Sequence, residues 1–593
     1  MFRKLKLHFS ILTYGFFTSV LLHSCNPEAQ EKKPNIVLIL TDDQGWGDVA
    51  ANGNEIIQTP NINRLAANGI TLGQFMVSPV CSPTRAEILT GRYHPRGGVS
   101  GTSAGAERLD LDEETIADVL RNNGYRTAAF GKWHNGMQYP YHPLGRGFDE
   151  FYGFCSGHWG NYFSPMLEHN GKIVQGNGYL PDDLTNHAIS FMEKHASNPF
   201  FLFLTLNTPH SPMQVPEKFW ERYKNMELPS HRYMENEEKD HTRAAYAMVE
   251  NIDWNVGRIL EKLDSLGLEN NTIVIFMSDN GPNGWRWNGG MKGIKGSTDE
   301  GGVRSPFFIQ WKGKFQSGKK LNEQAGAIDL LPTLSDLSGI SYTPAKPLDG
   351  ISLKNLLLHH EPLPPRYIAS YWNGNTSIRS PQYRLDRNNM LFNLEKDPGQ
   401  YHSIAYENKA VYDSLMNFRK KWEDEVLAEL PAEDTRPYPV GHPNFHVWQL
   451  PARDGIPHGN IHRSNRYPNC TYFTNWKSEH DSITWDIEVL EDGPFKAVAY
   501  YTCAPENTGT MLSLSFSQHS VSTPVKTPHN PPFQGAQNDR VERKESYVKD
   551  FKPLEMGVIH LAKGRGYLTL KANNIQGDKA TDIRMIMLHA INE

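Results

Sequence analysis

The sequence predicts an α/β fold with a mostly parallel central sheet, followed by a small α+β subdomain and an all-β sandwich. Continuous apolar runs such as 35–40 are typical of strands that are buried on both faces, as in parallel sheets. Helical stretches alternate with these runs along the chain, which favours the α/β class. Polar clusters directly follow several runs, at the positions where open α/β sheets bind ligands.

The first predicted domain spans 35–366. Its strands are predicted at 35–40, 127–130, 200–206, 273–277 and 306–309, and its helices at 60–68, 112–123, 241–266 and from Asp329 onward. Four of these strands end in polar clusters. Because the carboxyl ends of parallel strands meet at one edge of a sheet, we expect these residues to converge near Cys81: Asp42, Asp43, Lys132, His134, His210, Asp279 and Asn280.

Two further units follow the first domain. Short strands and a helix over about 410–430 define a small subdomain at 367–430, and a proline-rich linker is predicted at 431–457. Strands separated by turn residues over 458–593 predict the all-β sandwich. Such a module either binds carbohydrate or packs on the first domain as a structural unit, and its fold does not decide between these roles.

The composition is that of a globular protein of two or three domains. Hydrophobic residues make up 38% of the 593 positions and charged residues 21%, which excludes a largely disordered chain. The net charge of −6 argues against a nucleic-acid partner, so a polyanionic substrate would need a local basic pocket. Five cysteines are too few for a disulfide framework, although Cys470 and Cys503 could pair in an exported protein.

The first 24 residues are predicted to be a signal peptide. A cationic start precedes an apolar stretch, 9–22, that is too short for a comfortable membrane span. The Leu-His-Ser-Cys sequence ending at Cys25 resembles a bacterial lipoprotein cleavage box, with an atypical His at its second position. Cleavage there would leave Cys25 lipidated and 25–34 as a tether, whereas plain secretion is the alternative. We therefore expect an exported outer-membrane or periplasmic protein of a Gram-negative bacterium, held to the membrane by lipid alone.

The segment from Val80 to Arg85 carries the clearest chemical signal. Pro83 suits the first turn of a helix, and Gly91 can end that helix. Cys81 would then lie at a helix N-terminus, where free N–H groups and the helix dipole favour an anion. Arg85 follows one turn later on the same side. The segment therefore suits a nucleophile that attacks an anionic group, and a buried structural thiol is the alternative.

Cys-x-Pro-x-Arg at 81–85 and Leu-Thr-Gly-Arg at 89–92 resemble the two signatures of the type I sulfatases, particularly bacterial polysaccharide-active, arylsulfatase-like members. Further motifs agree with this family in order over 34–430. The resemblance implies an alkaline-phosphatase-like fold and a small subdomain with an antiparallel sheet and one helix. It also implies that a formylglycine-generating enzyme converts Cys81 to formylglycine (3-oxoalanine).

The resemblance implies one calcium ion in the site. Its ligands would be Asp42, Asp43, Asp279, Asn280 and Cys81 as formylglycine. The residue types agree, because calcium and magnesium prefer hard oxygen ligands. Two adjacent carboxylates after a buried strand would also repel each other unless a cation neutralised them. The alternative for this pair is a turn or a helix cap.

The resemblance also implies a role for each remaining site residue. The hydrated formylglycine would attack sulfur with one hydroxyl, and its second hydroxyl would let the intermediate collapse and expel sulfate. Arg85 would hold the diol, Lys132 would bridge diol and sulfate, His134 would take the proton of the second hydroxyl, His210 would protonate the leaving oxygen and Lys295 would hold the sulfate. Lys292 is an alternative to Lys295.

Two loop segments are candidates for binding the rest of the substrate. The candidate residues are Trp285, Arg286 and Trp287 in one segment and His158 and Trp159 in the other. Aromatic faces stack on sugar rings, and Arg pairs with a carboxylate or a second sulfate, but loop packing would also explain these residues. Export, a lipid anchor and the β-sandwich favour a sulfated polysaccharide or its oligosaccharides as substrate, and we expect an algal, ulvan-type polymer.

Three other functions compete with this interpretation. A related phosphatase or phosphodiesterase would use Ser or Thr and two zinc ions, and the sequence offers no obvious ligands for a second metal. The second is a formylglycine-dependent phosphonate monoester hydrolase. Comparing the turnover of phosphonate esters with that of sulfate esters would distinguish it from a sulfatase. A surface glycan-binding protein with a decayed catalytic domain would bind glycan without turnover.

Overall fold

The computed structural model describes residues 32–229 and 234–591, together with 1, 5 and 6. Cys25 and the remainder of the predicted signal peptide lie outside the described residues. Within the described part of the chain, no helix has the length and apolar character needed to cross a membrane. Cys470 and Cys503 are both buried free thiols, so the pairing that the sequence allowed is not formed.

An eleven-stranded, mostly parallel sheet forms the centre of the first domain. In sheet order its strands are Lys319–Gly326, Ile70–Met76, Phe307–Trp311, Thr272–Ser278, Asn35–Asp42, Phe200–Pro209, Arg126–Lys132, Glu150–Phe154, Met166–His169 and Lys172–Gln175, with Arg304–Ser305 pairing to Ile70–Met76. The four strands in the middle run parallel to one another. The predicted α/β class and the mostly parallel sheet are confirmed.

The strand Asn35–Asp42 separates two hydrophobic cores. Leu38 packs into the core on one face of the sheet and Val37 into the core on the other. The long helix Lys239–Ser265 covers the second face with buried residues such as Ile252. Because both faces are covered, every residue of this strand is buried, which explains its unbroken apolar run.

Helices lie on both faces of this sheet and beside it. In chain order they are Pro60–Asn68, Cys81–Thr90, Ile116–Asn122, Leu180–Lys194, Glu217–Tyr223, Lys239–Ser265, Glu300–Val303, Leu330–Leu337 and Lys354–His359. The helix predicted at 112–123 is shorter than expected. Thr115 starts it with a capping box to Asp118, so the preceding residues stay outside the helix.

The small subdomain contains the expected antiparallel sheet and one helix. Its strands are Ile368–Trp372, Asn375–Arg379, Tyr383–Leu385 and Leu391–Asn393, and its helix is Lys409–Val426. Glu300 of the first domain lies between two arginines of this sheet, with Arg384 at 2.9 Å and Arg379 at 3.1 Å. These groups are almost fully buried, so the ion pairs attach the subdomain to the sheet domain.

Two six-stranded sheets form the β-sandwich. One contains Tyr438–Val440, Ser482–Val489, Gly564–Asn573, Met511–Phe516, His519–Pro524 and Ile456–His458; the other contains His462–Arg463, Phe473–Thr474, Asp582–Ala590, Gly493–Thr502, Lys552–Leu561 and Val447–Pro451. A separate ribbon joins Phe533–Gln534 to Val548–Lys549.

Much of the predicted linker at 431–457 belongs to this sandwich. Tyr438–Val440 pairs in parallel with Ser482–Val489, and Val447–Pro451 pairs with Asp582–Ala590. The module therefore begins about twenty residues earlier than expected. Edge strands tolerate proline, and Pro439 is the middle residue of the edge strand Tyr438–Val440, so proline content alone was a poor guide here.

The Glu300 cluster generates a stability prediction. Arg384→Ala should lower the free energy of unfolding by about 3 kcal/mol, because it removes the nearer of the two arginines that compensate the buried charge of Glu300. Lys420→Ala removes an exposed pair with Asp424 and should leave the urea midpoint unchanged. Urea unfolding of both variants tests this, and equal shifts in the two midpoints would contradict it.

Candidate functional site

Cys81 begins the helix Cys81–Thr90 at the edge of the central sheet. Val80 precedes it in extended conformation, and Gly91 ends the helix with a positive φ of 69°. The side chain of Thr84 stabilises this start by accepting a hydrogen bond from the Ser78 amide at 2.9 Å. Burial raises the pKa of the Cys81 thiol, which is 3% exposed. The thiol is therefore neutral here, unlike the low-pKa thiolate of a cysteine that attacks directly.

Charged residues from the ends of four neighbouring strands surround Cys81. With Arg85 of the helix and Lys295 of a loop they form three ion pairs: Lys132 Nζ to Asp42 Oδ2 at 2.6 Å, Lys295 Nζ to Asp43 Oδ1 at 2.8 Å and Arg85 Nη2 to Asp279 Oδ2 at 2.9 Å. The first and third pairs are buried, whereas Lys295 is partly exposed. His210 Nε2 lies 3.6 Å from Asp43 Oδ2. The structure thus brings together the residues that the strand-end argument placed near Cys81.

The acidic groups fit a hard divalent cation. Ligand atoms of Asp42, Cys81 and Asp279 lie within 4.8 Å of one another, as do those of Asp42, Asp43 and His210. Among the described residues, Asp42 Oδ1 and Asn280 Oδ1 are buried oxygens without a hydrogen-bond partner. Burial and the neighbouring Asp42 raise the pKa of Asp279 to about 6. Unsatisfied oxygens and crowded carboxylates are what a bound cation would relieve.

His134 presents an open ring nitrogen beside Cys81. Its Nε2 lies 2.8 Å from the Thr102 carbonyl, which can only accept, so Nε2 carries the proton. Nδ1 is buried and has no partner within the described part of the chain, so it is free to accept a proton. Burial, followed by the charge of Lys132, lowers the pKa of His134 well below its usual value. The imidazole is therefore neutral and suited to act as a base.

His210 is held in the opposite tautomer. Its Nδ1 donates to the Ser211 carbonyl at 2.6 Å, which leaves Nε2 facing the carboxylate of Asp43. Burial and Lys295 lower the pKa of His210 to about 4. An anionic ester bound beside this ring would raise that pKa and favour the protonated form that an acid requires.

Arg85 and two lysines have distinct positions, Lys292 just before the glycine-rich loop 293–302 and Lys295 within it. Arg85 is fully buried and donates to Asp279 and to the Lys132 carbonyl, so it holds the ends of two strands together. Lys295 reaches Asp43, whereas Lys292 lies near Asp299 at 3.3 Å and Asp386 at 3.6 Å. Of the two lysines that the sequence left open, the geometry favours Lys295.

A cavity of about 410 Å³ opens above Cys81. His134, His210 and Lys295 lie around its floor, and Trp372 of the small subdomain contributes to its wall. Residues of the β-sandwich, at 467–469 and 541–545, form another part of the wall. Sequence reasoning missed these segments. The charged run at 541–545 was the only available signal, and nothing local to it indicates which surface it contacts.

The predicted substrate-binding residues divide into two groups. His158 lines the cavity, with its ring stacked 5.8 Å from that of His210, and Trp285 lines an adjoining cavity of about 350 Å³. Arg286 is buried against Asp48 at 2.6 Å, so its guanidinium serves the loop and is not open to a substrate.

The two remaining tryptophans also pack within the protein. Trp287 lies against Gly47, where an added Cβ would come within 2.9 Å of the indole ring. Trp159 stacks on Phe154 at 5.0 Å, and its indole N–H donates to the Met166 carbonyl. Trp287, Trp159 and Arg286 therefore serve loop packing, which was the alternative that the sequence left open.

Comparisons with known proteins agree with the site. The family model described as Sulfatase matches residues 34–340, more than half of the chain. Mouse (Mus musculus) N-acetylgalactosamine-6-sulfatase is 32% identical over 390 residues, covering 59% of this chain and 71% of that protein. Human (Homo sapiens) arylsulfatase D is 29% identical over 439 residues, covering 58% of this chain and 71% of that protein.

A solved structure extends the likeness to three dimensions. The crystal structure of Ps i-CgsB in complex with k-i-k-neocarrahexaose shares 33% identity and a TM-score of 0.62, covering 68% of this chain and 96% of that one. The chain belongs to the sulfatase family. It is a sulfuric ester hydrolase, and its alkaline-phosphatase-like fold is the one that the sequence predicted.

Glu87 generates a pH prediction for the helix that carries Cys81. Burial raises the pKa of Glu87 from 4.5 to about 8, although its carboxyl accepts a hydrogen bond from Ser78 Oγ. Its contribution to stability is therefore complete below pH 4.5 and is lost as the pH rises towards 8. Relative to Glu87→Gln, the native protein should lose ~1.4 kcal/mol of stability per pH unit within that window.

Urea unfolding at several pH values between 5 and 8 measures this difference. Glu425→Gln, on an exposed helix surface, is the matched control and should follow the native pH profile. Parallel pH profiles for the native protein and Glu87→Gln would contradict the assignment.

Proposed function

We propose that this sulfatase removes sulfate esters from a sulfated polysaccharide or its oligosaccharides and releases inorganic sulfate. The observation that carries the proposal is the position of Cys81, at a helix start on the floor of a cavity into which His134, His210 and Lys295 open. The structural neighbour bound to neocarrahexaose and the relatives that act on sulfated sugars support a saccharide substrate. A sulfated algal polymer of the ulvan type is the finer substrate that we propose.

The chemistry requires that Cys81 be converted to formylglycine. Its hydrate supplies one hydroxyl to attack sulfur and a second whose proton must leave before sulfate is expelled. The buried, neutral thiol of Cys81 supports this requirement, because it is a poor nucleophile as it stands. The helix N-terminus around position 81 favours the negative charge that develops there.

The chain's own groups then divide the proton transfers. His134 lines the same cavity as residue 81 and accepts a proton at its Nδ1, which has no partner among the described residues. His210 stands across the cavity floor, where its Nε2 can protonate the departing sugar oxygen. Lys295 places its ammonium group beside the bound sulfate, and Lys132, held by Asp42, adds positive charge behind it. This pairing of one base and one acid fits cleavage of an ester bond.

We also propose that one calcium ion completes the site. Asp42, Asp43, Asp279 and Asn280, with the residue at 81, would hold it, and it would supply positive charge against the sulfate oxygens.

Outside the described residues, we retain export and lipidation at Cys25 as a proposal. Radioactive palmitate incorporation that disappears in Cys25→Ala would establish the lipid.

The conversion and the reaction can be tested together. After expression with a formylglycine-generating enzyme, mass spectrometry should show a reduced mass for the peptide from Leu65 to Arg85. The converted protein should release sulfate from at least one of ulvan oligosaccharides, k-i-k-neocarrahexaose and N-acetylgalactosamine 6-sulfate, and Cys81→Ala should lose at least a thousandfold in kcat. Faster turnover of a phosphonate monoester, or an unmodified Cys81 without turnover, would refute the proposal.

Thermal unfolding tests metal binding independently of activity. Calcium added to chelator-treated protein should raise Tm, with a stabilisation of ~2.7 kcal/mol at a concentration one hundred times Kd. Asp279→Asn should abolish this rise, because it removes a carboxylate that faces the other ligands. Asp253→Asn changes a buried carboxylate on the helix Lys239–Ser265 and should keep the rise. The same measurement is made with magnesium. An equal rise in Tm in the native protein, Asp279→Asn and Asp253→Asn would contradict the assigned ligands.

A further inference from the structure

The β-sandwich is fixed against the catalytic domain beside the cavity. Arg453 of the sandwich forms a buried ion pair with Glu107 at 2.9 Å. Gln138 of the first domain donates to the Gln449 carbonyl at 2.8 Å and to Asp454 at 3.0 Å. Buried charged and polar contacts of this kind restrict relative movement of the two units. The wall that the sandwich contributes to the cavity is therefore part of a fixed surface.

The first wall segment, 467–469, adjoins the candidate base. Asn469 Nδ2 donates to the Thr102 carbonyl at 3.3 Å, and the same carbonyl accepts from His134. A Cβ added at Gly157 would lie 2.5 Å from both Asn469 Nδ2 and His134 Nε2, so the two domains meet closely at this point. Tyr467, 38% exposed, extends this segment along the cavity.

The second wall segment, 541–545, adjoins the candidate acid. Arg543 is held by Asp539 at 2.5 Å and donates to the Gly160 carbonyl at 2.5 Å, which anchors the segment. Glu545 accepts a short hydrogen bond from Ser211 Oγ, directly after His210. The segment is thus built onto the loop that carries His210.

Two buried polar atoms at this wall have no partner within the described residues. They are Glu545 Oε2 from the sandwich and His158 Nε2 from the first domain, and both residues line the cavity. Buried polar groups without partners are uncommon in folded proteins and indicate a ligand that supplies them. A carboxylate accepts hydrogen bonds, so the matching groups are hydroxyls.

The outer part of the cavity is acidic. Glu238, Glu542 and Glu545 line it. Two cations also line it: Lys544 lies 3.5 Å from Glu238, and the charge of Arg543 is balanced by Asp539. Such a rim suits the hydroxyl groups of a sugar and disfavours a second sulfate close to the first. The cationic groups are concentrated instead on the floor, at Lys295 and behind it.

We propose that the β-sandwich completes the saccharide-binding pocket, with Glu545 recognising free hydroxyl groups of the sugar that carries the scissile sulfate and Tyr467 packing against that sugar. This inference rests on the proposed function, because it assigns the sugar to the cavity above Cys81. It makes Glu545 and Tyr467 specificity-determining residues, and it makes the sandwich part of the enzyme's binding site.

Kinetics of the converted, full-length protein test this assignment. The substrates are the oligosaccharide from the panel above with the fastest sulfate release, and 4-nitrophenyl sulfate, which has no sugar hydroxyls. Glu545→Ala should raise KM for the oligosaccharide at least tenfold and lower kcat/KM for the aryl sulfate by a much smaller factor. Tyr467→Ala, a separate change on the other segment, should act in the same direction. Glu555→Ala, on an exposed strand of the same module, should match the native enzyme.

The possible outcomes separate the roles. Equal losses on both substrates in Glu545→Ala would show that the residue acts through His210 and would overturn the recognition assignment. An unchanged KM in both variants would also overturn it. The native enzyme could also cleave the oligosaccharide and leave the aryl sulfate intact. In that case, a fall in kcat or a shifted pH profile in Glu545→Ala would count against the proposal. A rise in KM with kcat unchanged would support it. A native enzyme inactive on every sulfate ester would instead refute the proposed function.

Discussion

Three ion pairs at the carboxyl edge of the central sheet, two of them fully buried, are the interaction on which the site depends. They join Asp42 to Lys132, Asp43 to Lys295 and Asp279 to Arg85. In each pair, the two partners come from different segments of the chain. A buried charge without its partner costs several kcal/mol, so the pairs require the strand ends, the glycine-rich loop and the helix of Cys81 to meet in one arrangement.

This requirement explains how a neutral thiol comes to lie among so many charges. Arg85, one turn along the helix from Cys81, donates to both Asp279 and the Lys132 carbonyl, and this positions the helix start against two strand ends. Within the described part of the chain, Asp42, which balances Lys132, also keeps one buried oxygen without a hydrogen-bond partner. The same charge balance therefore stabilises the fold, and it gathers the acidic and basic groups to which we assign the proposed cation and sulfate.

Much of the fold and the inner site was predictable from local pattern. The apolar run at 35–40, the helix punctuated by Pro83 and Gly91, and the polar residues after the strands each carry their signal within a few neighbouring positions. The outer site was less predictable. Arg286 resembled a substrate ligand in the sequence, but it pairs with Asp48, 238 positions away. The prolines near Tyr438 suggested a linker, yet Val440 pairs in a sheet.

The sequence by itself determined the class of fold, the sulfatase family and the groups that surround Cys81, because motifs and strand ends place chemistry at positions defined by regular geometry. Only the tertiary structure decided that Lys295 and not Lys292 meets Asp43, and that Glu545 reaches the loop of His210. Those contacts join surfaces of separate segments. Their formation depends on complementary shape and charge after folding, which no run of neighbouring residues encodes.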